Sequence, residues 1–321
     1  MTETAVSEAR QDEPEHELQD ACLARAFASL EGLSCGDAFG ECFRQESNRN
    51  ATARATRTLS EGIWPYTDDT VMAVSIYACL ERHGKIEPEW LAESFARQYE
   101  PERGYGHSMN ALLMRFATIG TQNWFEEAQE LFDGEGSFGK GAAARVAPVG
   151  AYFAHDLDAA AENAALSAIA THCHPEAISG AVAIAAATAM AWRRREAPDG
   201  TAFLEEVRGC TPKSAVRDGI DRAIAIPETA PAIEAALRIG NGARGTAQDT
   251  VPFALWCAAR SLHRYEDALW ETVNGAGDAD TNCAIVGGIV AMSAGAEGIP
   301  REWLARREPL TPLLQRASRQ E

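Results

Sequence analysis

Basic residues are scarce in this chain: 29 lysines and arginines stand against 47 aspartates and glutamates, a net charge of −18 over 321 residues. A surface of that sign repels nucleic-acid duplexes and anionic membranes, so neither is an expected partner. A small anionic ligand stays open, because bound cations reverse the local field. Paired cysteines are missing as well. Eight cysteines, at positions 22, 35, 42, 79, 173, 210, 257 and 283, form no CxxC pair, and most lie in apolar helical stretches. Reduced, buried thiols are the expectation. Residues 1–20 are acidic and have no apolar core, which argues against a signal peptide and makes the cytoplasm the default location. The longest uncharged runs, around 178–192 and 282–296, are rich in Ala and Gly and read as buried helices too short to span a bilayer.

Alternating apolar residues, a fixed-period repeat and a dividing linker are also lacking, so the chain reads as all-α and as one domain. At 46% hydrophobic it is long enough for a large core. Residues 1–18 read as a disordered acidic tail and 19–321 as the helical domain. Helices are expected from residue 17 through Leu18, Cys22, Ala26 and Leu30, then over 70–83, 88–99, 111–119, 142–154, 157–170, 177–195, 231–239, 251–262 and 265–273. Two shorter ones are expected within 198–230, and Pro300 starts a last short one. The polar stretch 45–61 reads as a loop. Gly32, Gly36 and Gly40 fall in an apolar stretch, which points to close helix packing or to backbone approaching a ligand.

Two short clusters carry chemistry. Tyr66-Thr67-Asp68-Asp69-Thr70 runs straight into an apolar helix in which Val71, Val74 and Ala78 recur at helical spacing. Gly277-Asp278-Ala279-Asp280-Thr281 does the same before Ala284-Ile285-Val286. One Thr or Asp at each place is an ordinary helix cap. Two such clusters are also a way to bring four carboxylates together, and they would repel one another without a cation between them. All-oxygen ligands select a hard ion, Mg²⁺ or Mn²⁺.

The run 136–141 is glycine-dense and precedes a helix, so it is either an anion cradle of backbone N–H groups or a flexible loop. It lacks the ending of a P-loop and the strand of a Rossmann turn. Phe132 and Phe138 flank it, either to stack on a base or as core. His172-Cys173-His174 is spaced too tightly for zinc with no second soft cluster nearby, and a histidine there more often caps. Asp37 and Glu41 are second-shell or catalytic carboxylates, or a turn.

In order, GLSCGDAFG, YTDDTVM, RGYGHS, GEGSFGKGAAARVAPVG, THCHP, IGNG and GDADTNCAIVGG resemble the ADP-ribosylglycohydrolase family over residues 21 to 305. ARQYEPERGYG and GEGSFGKGAAARV lean toward the branch that removes ADP-ribose from serine or degrades poly(ADP-ribose). The resemblance implies a single-domain orthogonal helix bundle with a binuclear Mg²⁺ or Mn²⁺ centre at helix N-termini. It implies Thr67, Asp68, Asp69, Asp278, Asp280 and Thr281 as metal ligands. It also implies Gly136, Ser137, Phe138, Gly139 and Lys140 around the ADP-ribose, with Phe132 and Phe138 against the adenine. His172 would lie beside the ribose, and Gly106 and His107 near the pyrophosphate.

The implied reaction is hydrolysis at C1″ of an ADP-ribosyl group on a protein or small molecule, by a chain expected to be a monomer. Two metals would hold the ribose hydroxyls, and carboxylates would stabilise an oxocarbenium-like centre and move protons. Asp68, Asp69, Asp280 and Glu41 are the expected catalytic carboxylates. Three positions depart from the family pattern. Arg44 stands where the serine-directed branch has a catalytic Glu, so Glu41 is taken as its substitute. Lys140 replaces an Asn and is expected to pair with the pyrophosphate. Ala276 replaces a Gly before the second motif. Release of arginine or of a small-molecule conjugate, and non-catalytic ADP-ribose binding, are the alternatives.

Overall fold

Three glycines four residues apart would weaken an isolated helix, at roughly 1 kcal/mol each relative to alanine. The computed structural model, which describes residues 13–44 and 48–318, runs one helix straight through them: α1 (Glu13–Glu41). Every one of the three lies against the helix Ala279–Ala294. A Cβ at Gly32 would come within 2.4 Å of the Gly287 carbonyl oxygen, at Gly36 within 2.1 Å of that of Cys283, and at Gly40 within 2.3 Å of that of Ala279. Ala279, Cys283 and Gly287 form the matching four-residue stripe. The two backbones therefore touch, and the contact, not helix propensity, is what the glycines serve.

Between these two helices the chain forms α2 (Asn48–Thr56), α3 (Asp68–His83), α4 (Pro88–Gln98), α5 (His107–Ile119) and α6 (Trp124–Gln129). Then come α7 (Gly141–Ala144), α8 (Ala147–Tyr152), α9 (Leu157–Ile169), α10 (Pro175–Arg193), α11 (Gly200–Cys210) and α12 (Ala215–Ile224). α13 (Ala232–Ile239), α14 (Ala247–Arg260) and α15 (Tyr265–Asn274) lead into α16 (Ala279–Ala294), and α17 (Arg301–Arg306) and α18 (Thr311–Ala317) close the sequence. Among the described residues there is no strand, only the isolated bridges Trp64–Arg307 and Gly139–Thr246. The fold is all-α with one continuous core.

Aromatic rings pack around α1 beside this contact. Phe39 stacks on Trp303 with centroids 4.4 Å apart and meets Trp270 edge-on at 4.9 Å. The Tyr265 hydroxyl donates to the Gly32 carbonyl at 2.6 Å. α10 is the Ala-rich core helix, and 78% of its most apolar window is buried in the protein. At 19 residues it is long enough to cross a membrane, so packing, not shortness, explains its composition.

Several expectations need correction. Residues 13–18 belong to α1 and not to a tail, while 1–12 lie outside the described residues. The stretch 45–61 contains α2, a polar helix with no apolar period, tied to the core through Ala53. The helix expected over 142–154 is two, α7 and α8, because Pro148 sits in the first turn of α8 and cannot continue a preceding helix. α18 follows the helix at Pro300.

Ala276 departs from the usual backbone, with φ +55 in the turn before Asp278. A left-handed non-glycine residue costs about 1–2 kcal/mol, and glycine's extra freedom in the unfolded chain returns about 0.4–1 of that. Ala276→Gly should therefore stabilise the protein by about 0.5–1 kcal/mol in urea melts. A lower midpoint would show that the turn carries no strain.

Candidate active site

Asp37 organises the site from inside α1. It is fully buried, and its carboxylate accepts from the Thr67 amide (2.9 Å) and hydroxyl (2.8 Å) and from the Thr70 amide (3.1 Å) and hydroxyl (2.6 Å). Four donors at the start of α3 are thus satisfied by one side chain from another helix. Thr67 is also the N-cap, its hydroxyl accepting from the Asp69 amide at 3.3 Å. The helix start is held so that Asp68 and Asp69 project where α1 and α16 meet.

The second cluster is placed by the glycine turn 240–242. Asn241 accepts from the Asp278 amide (3.1 Å) and from the Asn282 side-chain amide (2.7 Å), and its own amide donates to Gly275 (3.1 Å). Gly242, at φ +84, lets this turn lie on Asp278: a Cβ there would be 2.7 Å from the Asp278 Cβ. The two motifs then meet directly, the Thr281 hydroxyl donating to Asp69 Oδ2 at 2.7 Å. Residues 212 apart in sequence share one hydrogen bond.

Crowding of like charges shows in the titration of the group. Burial pushes Asp37 well above the ordinary carboxylate range, with the Asp69 charge adding to it. Asp68 is raised in the same way by burial and then by Asp69 and Asp37. Asp69 is raised to about 6, first by burial, although Lys140 pulls it down. Among the described residues no three His, Cys, Asp or Glu side chains stand together as a group that could hold a metal ion. The donor chemistry nonetheless fits a hard cation: carboxylates and hydroxyls alone, with Asp280 Oδ1 buried and without a hydrogen-bond partner.

The glycine-rich run is pinned to its neighbours. Gly136, at φ +76, packs where a Cβ would be 2.9 Å from the His174 amide nitrogen. Ser137 is buried and accepts from the Gly139 amide at 3.2 Å. The Lys140 amide donates to Gly245 at 3.2 Å, and Phe138 accepts from the Ala247 amide at 3.0 Å. Phe132, exposed, lies 5.1 Å from the Phe138 ring, which also meets His174 at 5.5 Å. His174 caps α10, its Nδ1 accepting from the Glu176 amide.

His172 is buried, and its Nε2 lies 3.1 Å from where a Gly139 Cβ would stand. Burial, then Arg145, lowers its pKa well below the ordinary value, so the ring is neutral. Thr171 Oγ1 accepts from Arg145 (2.9 Å) and shares a hydrogen bond with His172 Nδ1 (2.7 Å), which leaves Nε2 toward the loop. Lys140 forms an ion pair with Asp278 and so reaches the carboxylate cluster.

Glu41 ends α1 beside α16. Burial and the Asp280 charge raise its pKa, and Arg44, 3.5 Å away, opposes them. Gly106 and His107 are exposed at the start of α5, and the residue before them, Tyr105, has a buried hydroxyl without a hydrogen-bond partner. Arg145 and Asn241 lie within the quoted motifs GEGSFGKGAAARVAPVG and IGNG, but neither was singled out from the sequence. Arg145 is fully buried, bonded to the Ser167 carbonyl (2.7 Å), with its guanidinium 4.6 Å from the Phe95 ring centroid. It is a second buried cation acting on Asp69 and Asp68.

The ADP-ribosylglycohydrolase family profile matches residues 18–320. ADP-ribosylhydrolase ARH3 of Xenopus tropicalis is 27% identical over 89% of this chain and 91% of its own length. The protein of that name from Danio rerio is 27% identical over 88% and 85%. A solved structure of an ADP-ribosylglycohydrolase-related protein complex shares the fold, with TM-score 0.63 and 23% identity over 93% of this chain and 97% of that one. With the profile spanning helix α1 to the last described helix, and both acidic motifs joined at one site, the chain belongs to the ADP-ribosylglycohydrolase family.

Proposed function

We propose that the protein is a divalent-cation-dependent hydrolase that cleaves the C1″ glycosidic bond of an O-linked ADP-ribosyl group, ADP-ribosylserine foremost, and releases ADP-ribose. The observation that carries this is the Thr281–Asp69 hydrogen bond, which brings two acidic helix N-termini into one oxygen-rich site. Thr67, Asp68, Asp69, Asp278, Asp280 and Thr281 would hold two Mg²⁺ or Mn²⁺ ions. Bound there, the ions supply Lewis-acid grip on the ribose 2″- and 3″-hydroxyls.

The chain's own residues do the rest. The backbone of 136–140 offers N–H groups to the diphosphate. Phe132 and Phe138 offer faces to the adenine. The neutral His172 presents Nε2 beside that loop, where it hydrogen-bonds a ribose hydroxyl. Glu41 carries the proton transfer: burial and the Asp280 charge raise its pKa, the direction that favours a carboxyl holding a proton to give. Carboxylates around C1″ stabilise the positive charge of the transition state.

One observation favours a second reading, a non-catalytic ADP-ribose binder: Lys140 occupies Asp278, one of the six ligands. Release of free ADP-ribose from an ADP-ribosylserine peptide separates the two. We expect release with Mg²⁺ or Mn²⁺ that stops with EDTA and is lost in Asp280→Asn. ADP-ribose that binds while no substrate is cleaved under any metal condition would leave the binder.

A further inference from the structure

Arg44 takes no part in the reaction as described, yet its guanidinium stands beside Glu41, the proposed proton carrier. The side chain is 43% exposed and lies 3.5 Å from Glu41. It crosses to the loop before α5, where Gly104 at φ +97 leaves it room; a Cβ there would be 3.0 Å from a terminal guanidinium nitrogen. Burial works against its charge, but the carboxylates of Asp280, Glu41 and Asp68 outweigh that and hold its pKa above the ordinary arginine value. Arg44 thus pairs with the proposed proton carrier and feels the charge of both acidic motifs.

Besides the buried Arg145, Lys140 and Arg44 act on the cluster, from two different segments. Lys140 comes from the glycine-rich loop, the wall that offers backbone N–H groups and aromatic rings to a nucleotide. Arg44 comes from just past the end of α1 and lies between Gly104 and Glu41, the proposed proton carrier. A group leaving from C1″ exchanges its proton with Glu41, and Arg44 stands 3.5 Å from that carboxylate, so the acceptor passes Arg44.

We infer that Arg44 is a specificity-determining residue that selects the leaving group: it rejects a cationic acceptor, such as a guanidinium, and admits a hydroxyl or an anion. The inference rests on the ADP-ribosyl hydrolase reading and deepens it. Like charges at such a mouth, partly screened by water, change relative rates on the order of 10- to 100-fold.

The test compares kcat/KM for an ADP-ribosylserine peptide and for ADP-ribosylarginine in the full chain with Mg²⁺, as wild type, Arg44→Gln and Arg44→Glu. The arginine-to-serine ratio should rise about tenfold in Arg44→Gln and further in Arg44→Glu. Any gain or loss common to both substrates cancels in the ratio. Calorimetric affinity for ADP-ribose itself should stay within about twofold, because the acceptor side is absent from that ligand. A ratio that does not move, a wild type that prefers ADP-ribosylarginine, or a loss of ADP-ribose affinity in both variants overturns the inference and leaves the reaction standing. No release from either substrate by any of the three proteins overturns the reaction and the inference together.

Discussion

Gly36→Ala is expected to destabilise the protein by about 2–3 kcal/mol and to weaken ADP-ribose binding as well. Helix propensity alone argues the opposite, since alanine is favoured by about 1 kcal/mol inside a helix. The packing decides the sign. The new Cβ would stand 2.1 Å from the Cys283 carbonyl oxygen, and that neighbour is backbone, which cannot turn aside as a flexible side chain does. α1 and α16 must therefore move apart. Asp37 is the next residue on one helix, and Asp280 lies one turn before Cys283 on the other, so the shift reaches the site directly. Gly209 in α11 supplies the control, because a Cβ there meets nothing within 4 Å. Gly209→Ala should be neutral to stabilising by up to about 1 kcal/mol. If both alanines raise the urea midpoint, the close helix contact is not what constrains Gly36.

Stability should also depend on pH in an unusual direction when divalent cations are removed. For Asp69 the folded pKa, about 6, lies above the ordinary 3.8. A carboxyl raised on folding contributes stability that is present below its unfolded pKa and lost as pH rises through the folded one. In EDTA, melting temperature should therefore fall between about pH 4 and pH 6, and the raised Asp37 and Asp68 act in the same direction. A shift of about two units corresponds to roughly 3 kcal/mol. Saturating Mg²⁺ or Mn²⁺ should reverse the loss at neutral pH, by about 2–3 kcal/mol for a cation at 100 times its dissociation constant. Melting curves against pH, with EDTA and with Mg²⁺, measure this. Identical curves, both rising from pH 4 to pH 7, would mean that these carboxylates do not form a cation site.

The two acidic motifs were readable because they break a local pattern. Paired carboxylates ahead of an apolar run are more than a cap needs, and both runs are helices that begin there. Helix stops were readable for the same local reason: Gly84 closes α3 in the left-handed conformation at φ 67. What depends on residues far away was not. Asp37, near the end of α1, read as a second-shell or catalytic carboxylate or as a turn, and only the approach of α3 makes it the acceptor for four donors. Arg145 was hidden among alanines, and nothing local distinguishes a buried guanidinium from a solvated one. The ion pair of Lys140 with Asp278, 138 residues on, is likewise a product of the fold.

By itself, then, the sequence determined the helical class, the starts and stops of most helices, and the two places where carboxylates gather. It also determined that Gly32, Gly36 and Gly40 have no side chains between α1 and whatever it meets. Only the tertiary structure decided that α16 is what it meets, and that Thr281 and Asp69 therefore share a proton donor and acceptor. Capping, periodicity and turn conformation act over a few residues and are written locally. The convergence of charges comes from packing that hundreds of contacts decide together, and no short window of the chain contains it.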